Sequence, residues 1–177
     1  MNVFYLDRNT KKCAEMHVDK HVVKMIIEYA QLLSTAHRVL DGDMYLDKTA
    51  NGRNIKRWRL GKNEDVFYKA SHINHPSAIW ARQTYNNYMW LYDLWYKLCK
   101  EYEYRYGREH LTFTKLKNVI GFPPKNIPKG HFTQPPQAMP DHCKMNDSIA
   151  AYRNYYMVEK KNFAKWTMRE TPKWFMF

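Results

Sequence analysis

Two stretches of this sequence gather side chains able to act together on a substrate. The first is the polar series His17, His21, Lys24, Glu28 and Thr35, bordered by Gln31. At ~100° per residue these positions fall on one narrow helical strip. An apolar stripe of Val22, Ile26, Tyr29, Leu33, Ala36 and Leu40 runs beside it. A helix with only a core to build has no need for two imidazoles, an ammonium and a carboxylate in line. Such a strip supplies a general base, a cation and a neutral donor. Glu28 is the candidate catalytic carboxylate, with His21, His17 and Lys24 as its partners. The competing reading is an ordinary boundary strip, in which the Lys24/Glu28 pair adds roughly 0.2–0.5 kcal/mol.

The second stretch is His72-Ile-Asn-His75-Pro76. A proline here marks the first turn of a helix, whose free N–H groups attract anions. His72, Asn74 and His75 are candidate phosphate ligands, and Arg82 joins them from the helix. The alternative is simple capping by Asn74 or His75. His17 and His21 also have the i,i+4 spacing of metal ligands, but HVDKH lacks the glutamate of zinc proteases. His72, His75, His142 and Cys143 could complete a metal site only through folding, so no metal and no cofactor is assigned. P-loop, dinucleotide-binding and GxSxG motifs are absent from the sequence.

These residues need elements to position them. Met1 to Asp7 reads as a short strand. The first long helix is capped by Asp19 or continues from one starting near Thr10, and Gly42 ends it. Residues 41–71 form a basic insertion in which IKRWRL and DVFYKA are expected to pair as a hairpin. A second helix of roughly 30 residues is expected from Pro76 to Gly107, along the seam Trp80, Thr84, Asn87, Leu91, Leu94, Leu98 and Tyr102. The prolines of residues 121–146 exclude helix there. Asp147 is the expected cap of a last long helix reaching Trp166, and the aromatic tail TPKWFMF is expected to dock on the body. The fold class is therefore mainly α: a single domain, 1–177, built as a bundle of three or so long helices.

Composition bounds the partner. The 177 residues carry 29 Lys and Arg against 17 Asp and Glu, a net charge of +12. No fold requires that excess, but a polyanionic partner makes use of it. Lys20, Arg57, Arg59, Lys144, Arg153, Lys160 and Arg169 are the further phosphate-binding candidates. Aromatics make up 16% of residues, enough for stacking on bases. Trp58, Trp80 and Tyr88 are the stacking candidates. Three scattered cysteines without a CxxC pair argue against a disulfide framework and for a reducing cytoplasm. The N-terminus is too short and too soon charged for a signal peptide, and no membrane partner is expected.

The blocks DKHVVKM, HINHPSAIWAR, NNYMWL, QAMPDHCK, AYRNYY and TPKWF resemble a family of small proteins encoded by tailed phages and other large DNA viruses. The likeness covers nearly the whole chain. More distantly, the chain resembles phage pyrimidine-dimer DNA glycosylases of the endonuclease V type. Those are small, basic, helical enzymes with an aromatic tail, whose early helix carries a His and then a Glu-Tyr pair. His21 and Glu28-Tyr29 match that pattern. The resemblance implies a catalytic role for Glu28 and an amine that forms an imine with the sugar. The family takes that amine from a threonine exposed by methionine removal. Here Asn2 occupies that position and is expected to retain Met1, so Met1, Lys20 or Lys24 would have to substitute, or the lyase half is missing.

The resulting expectation is a phage-type DNA-processing protein, most concretely a base glycosylase acting on pyrimidine or modified bases. The alternative is a non-catalytic protein that captures a nucleotide or cyclic nucleotide. Either reading expects His17, His21, Lys24 and Glu28 to share one pocket with at least one residue of the His72–Arg82 block.

Overall fold

The computed structural model describes residues 1–175. In chain order its elements are α1 (Thr10–Glu15), α2 (Asp19–Asp41), β1 (Asp43–Lys48), β2 (Asn54–Arg59), α3 (Pro76–Gln83), α4 (Tyr85–Tyr106), α5 (Leu111–Leu116) and α6 (Ser148–Tyr155). The chain is mainly helical, and β1 and β2 form a small antiparallel sheet. No helix among the described residues is long and apolar enough to cross a membrane.

Helix α2 is the hub. Val22, Ile26, Tyr29, Leu33 and Ala36 are all fully buried, as the helical spacing requires. It packs on α4, α3 and α5. From α4, Leu91, Leu94 and Leu98 are fully buried as well, each contributing ~1.5–3 kcal/mol. Gly42 ends α2 through its size rather than a left-handed turn. A Cβ there would lie 2.5 Å from the Arg38 carbonyl and 3.1 Å from that of Arg59, where β2 passes the helix end. Gly107 closes α4 in the left-handed conformation, φ 67°, the usual role of glycine at a helix end.

Several expected elements take a different form. The second long helix is broken. Thr84 is extended, and its hydroxyl accepts from the Asn87 N–H to cap α4. The Tyr85 N–H goes instead to the Pro128 carbonyl at 2.8 Å. A local cap and a crossing segment of the proline-rich region together outcompete helix continuation. The last helix is also shorter than expected. Asp147 caps it, accepting from the N–H groups of Ile149 and Ala150. After Tyr155, however, the chain widens into a π turn, 156–160, and then a 3-10 turn, 161–163. Two long helices, α2 and α4, replace the expected three.

Met1 to Asp7 has no regular secondary structure and belongs to no sheet; the Leu6 N–H turns back to the Phe4 carbonyl at 3.1 Å. Asp19 opens α2 rather than capping it, and His17 lies in the linker between α1 and α2. The hairpin exists, with IKRWR in β2, but its partner is DMYLDK. Tyr45 faces Arg57 and Leu46 faces Lys56, across a turn at Asn51-Gly52 with Gly52 at φ 78°. The tail docks as expected as far as it is described. Phe175 is buried, and the last two residues of TPKWFMF lie outside the described residues.

Instead of pairing as a strand, DVFYKA wraps Arg38. Nε donates to Tyr68 O at 2.7 Å, Nη1 to Trp58 O and Glu64 Oε2 at 2.8 Å each, and Nη2 to Glu64 O at 2.7 Å and Phe67 O at 3.0 Å. This guanidinium is 2% exposed and has all five N–H groups satisfied. Replacing Arg38 with Met leaves four carbonyls without their donor. The expected cost is on the order of 3 kcal/mol in urea denaturation, together with new tryptic cleavage within 56–69. An unchanged midpoint and cleavage pattern would show that the insertion holds itself.

Candidate functional site

The polar strip divides in two. His17 and His21 turn into the core, whereas Lys24 and Glu28 stay at the surface. His17 is fully buried. Its Nδ1 lies 2.7 Å from the Cys13 carbonyl, and its Nε2 lies 2.9 Å from the Tyr29 hydroxyl. A carbonyl only accepts, so Nδ1 carries the proton and the Tyr29 O–H donates to Nε2. The same hydroxyl accepts the Phe4 N–H at 3.0 Å. The neutral tautomer satisfies every atom of this chain, and burial pushes the His17 pKa down to about 4. His21 pairs with the Tyr156 hydroxyl at 2.7 Å and stacks on Phe4 at 4.3 Å. Its burial, with His17 and Lys160 nearby, lowers its pKa to about 3. Both imidazoles are core struts between α2, the N-terminal segment and the last helical turns.

Glu28 is half-buried, with 18% of its side chain exposed. Lys24 Nζ lies 3.2 Å from Oε1, and the Met1 nitrogen lies 4.0 Å from Oε2. Helix α3 packs on α2. Thr35 Oγ1 accepts the Ser71 N–H at 3.2 Å, tying the 71–76 segment to α2. His75 caps α3, its Nδ1 accepting the Ser77 N–H at 3.1 Å. Its proton affinity is lowered by burial first, then by the Met1 ammonium and His72, and is opposed by the attraction of Glu28. Glu28, Lys24, the Met1 nitrogen and His75 therefore share one electrostatic neighbourhood. His17 lies outside it, and His21 meets it only through the repulsion of Lys24.

The rest of the His72–Arg82 block is divided. His72 and Asn74 are exposed, His72 in a left-handed conformation with φ 50°. Arg82 Nη2 donates to the Ile73 carbonyl at 2.8 Å, bracing the loop, while its buried Nη1 has no hydrogen-bond partner. Trp80 and Tyr88 belong to the core. The Trp80 N–H donates to Thr133 O, and the fully buried Tyr88 hydroxyl donates to Ile120 O. Neither offers a free ring face to a base. Trp58 is half-buried on the hairpin.

The basic candidates also separate into struts and free charges. Arg153 donates to Leu6 O at 2.9 Å and lies over the Trp174 ring. Arg169 clamps both Glu101 oxygens, at 3.0 and 2.8 Å. Arg57 sits 3.5 Å from Asp47, Lys144 pairs with Asp141, and Lys160 covers Tyr155. Lys20 covers Phe163 and Arg59 covers Tyr45, both basic residues being exposed.

No family model, curated protein or solved structure matches the chain. Geometry therefore carries the functional reading. The sequence did not single out Arg38, His37, Glu101 or Arg105, which hold the frame. Only the i,i+4 spacing of Glu101 and Arg105 signals their pairing, at 2.7 Å. His37 is also buried, stacked on Phe67 and 2.8 Å from the Tyr88 hydroxyl, with its pKa lowered to about 4. It lines a 540 Å³ cavity together with Asp41, Lys62, Phe67, Phe122 and Lys125.

Three neutral buried imidazoles make stability dependent on pH. Their folded pKa values lie below the unfolded value of 6.5, so their contribution is complete above pH 6.5. It is lost as pH falls towards about 4 for His17 and His37, and about 3 for His21. Urea denaturation should show roughly 2 kcal/mol lost per imidazole between pH 8 and 5. Carboxylates cannot mimic that onset, because they titrate lower. Flat stability between pH 8 and 5.5 would contradict the neutral assignments.

Proposed function

We propose that the protein is a DNA-processing enzyme of base-glycosylase type, with Glu28 as its working carboxylate. The observation that supports this most is the half-buried Glu28 carboxylate standing between Lys24 at 3.2 Å and the Met1 nitrogen at 4.0 Å, beside the His75-capped start of α3. A carboxylate so placed can stabilise positive charge on the sugar as the glycosidic bond breaks, or take a proton from an attacking water. The adjoining amine offers a second route. Glu28 takes a proton from the adjoining ammonium, the freed nitrogen attacks the anomeric carbon as the base leaves with that proton, and transfer of a second N–H proton to the ring oxygen opens the sugar to an imine. Lys20, the third amine considered, lies over the Phe163 ring at 4.8 Å and does not pair with Glu28. The exposed His72 and Asn74, and the hairpin with Lys56 and Arg59, are the surfaces offered to phosphates. Aromatic replacement of lost stacking falls to Trp58, because Trp80 and Tyr88 are buried.

A second reading is favoured by the 540 Å³ cavity beside His37. Its volume lies within the range of small-molecule sites. Lys62 and Lys125 could hold a phosphate, and Phe67 and Phe122 could flank a base, with no chemistry performed. Salt separates the two readings. Binding across many phosphates weakens steeply with salt, whereas a single nucleotide shows a shallow slope.

The test is incubation with oligonucleotides carrying damaged, modified or plain bases, with and without borohydride to trap an imine. Base release is expected to fall by about 100-fold or more in Glu28→Gln, with DNA affinity retained. Trapping by borohydride that is lost in Lys24→Ala would assign the amine to Lys24. No release from any substrate, or release indifferent to Glu28→Gln, would overturn the enzymatic reading.

A further inference from the structure

A second cluster of chemically able side chains lies well away in sequence from Glu28. Residues Asp141–Cys143 form one 3-10 turn at the end of the proline-rich segment. Asn154 on α6 steadies that turn by donating to the Cys143 carbonyl at 3.3 Å. The opposing residue, Glu159, comes from the π turn at 156–160. Such a turn displaces side chains from their α-helical positions and is often found at functional sites. His142 Nε2 lies 2.7 Å from Glu159 Oε1. One donor atom each from His142, Cys143 and Glu159 lies within 4.8 Å of the others. Cys143 is fully buried, whereas the His142 and Glu159 side chains are 58% and 38% exposed. A sulfur forms the floor, and an imidazole and a carboxylate form the rim.

The donor set selects the ligand. Sulfur, imidazole nitrogen and one carboxylate oxygen suit Zn²⁺ and its relatives, whereas Mg²⁺ and Ca²⁺ take oxygen cages. Zinc bonds of ~2.0–2.3 Å in a tetrahedron put donor atoms ~3.3–3.7 Å apart. The two exposed side chains need to move their donor atoms by only about 1 Å from the present spacing to reach it. The nearest cations are engaged elsewhere: Lys144 pairs with Asp141 at 2.6 Å, and Lys160 lies over Tyr155 at 4.5 Å.

We propose that His142, Cys143 and Glu159 bind one transition-metal ion of the Zn²⁺ class, with water as a fourth ligand. On binding, the Cys143 S–H bond breaks and its proton passes to solvent as the sulfur–metal bond forms. His142 gives up its Nε2 proton by shifting, through solvent, to the Nδ1–H tautomer, and the hydrogen bond to Glu159 is replaced by one bond from each residue to the ion. The ion ties the end of the proline-rich segment to the last helical turns, and it stands independently of any role for Glu28.

Full-length protein, stripped with a chelator, is titrated with Co²⁺ and then with Zn²⁺. The expected result is one Co²⁺ per chain, with tetrahedral visible bands and a thiolate-to-cobalt band in the near ultraviolet, all displaced by Zn²⁺. Cys143→Ser removes the thiolate band. His142→Ala and Glu159→Gln each weaken binding by roughly tenfold or more, while His131→Ala, at an exposed histidine elsewhere, changes nothing. Should Cys143→Ser fail to fold, the two exposed-residue variants decide. Absence of stoichiometric binding, a cobalt spectrum without the thiolate band, or an affinity indifferent to His142→Ala and Glu159→Gln overturns the proposal.

Discussion

The Tyr29 hydroxyl, held between His17 Nε2 and the Phe4 N–H, is the contact on which the candidate site depends. Residues 1–7 have no sheet partners, so nothing periodic holds them against α2. Tyr29 supplies that anchor from inside the core, where an unmade hydrogen bond costs ~1–3 kcal/mol. Its two bonds, with Cys13 and Arg153 holding Phe4 O and Leu6, set the depth at which the N-terminal segment lies. That depth places the Met1 nitrogen beside Glu28, one helical turn from Lys24. Phe4 then fills the space between His21 and Tyr155, stacking on both. The imidazoles that the sequence offers as chemistry thus serve as struts of the core.

Buried guanidinium groups extend the same principle across the molecule. Arg105 donates to Glu101, Asp19 and the carbonyls of His17 and Glu15, joining α4 to the junction of α1 and α2. Asp19 also accepts from Thr167, and Glu101 from Arg169, so the C-terminal segment closes the network. Arg38 does likewise for the insertion. Part of the basic excess is therefore internal frame. The free positive charge lies mainly on lysines and on the hairpin, which narrows where a polyanion can bind.

The helical periodicity of α2 and the seam of α4 are legible in the sequence because burial on one face imposes a 3.6-residue repeat. The Asp147 cap and the Gly107 stop are legible because each meets a local backbone need. The break at Thr84 is not, because it depends on Pro128 arriving from a distant part of the chain. Composition cannot choose the strand partner of IKRWR, because both neighbouring segments are strand-like, and only Arg38 fixes DVFYKA as its wrapping. Of the site, the pairing of Glu28 with Lys24 and its proximity to His75 are readable from spacing and packing. The inward turn of His17 is not, because α2 starts only at Asp19. Of the cluster His142, Cys143 and Glu159, the first two are legible as ligand-type side chains, whereas Glu159 is not, because it reaches them through a π turn that no spacing rule anticipates.

Tyr29 fixes the N-terminal segment and, through it, the surroundings of Glu28. Hydrogen exchange at the Phe4 amide tests it most directly. In the unsubstituted protein, protection comparable to that of α2 core amides is expected. In Tyr29→Phe, Phe4 exchange should rise by about tenfold or more while α4 amides keep their protection. A Phe4 amide that exchanges like an exposed one in the unsubstituted protein, or one unaffected by Tyr29→Phe, would contradict it.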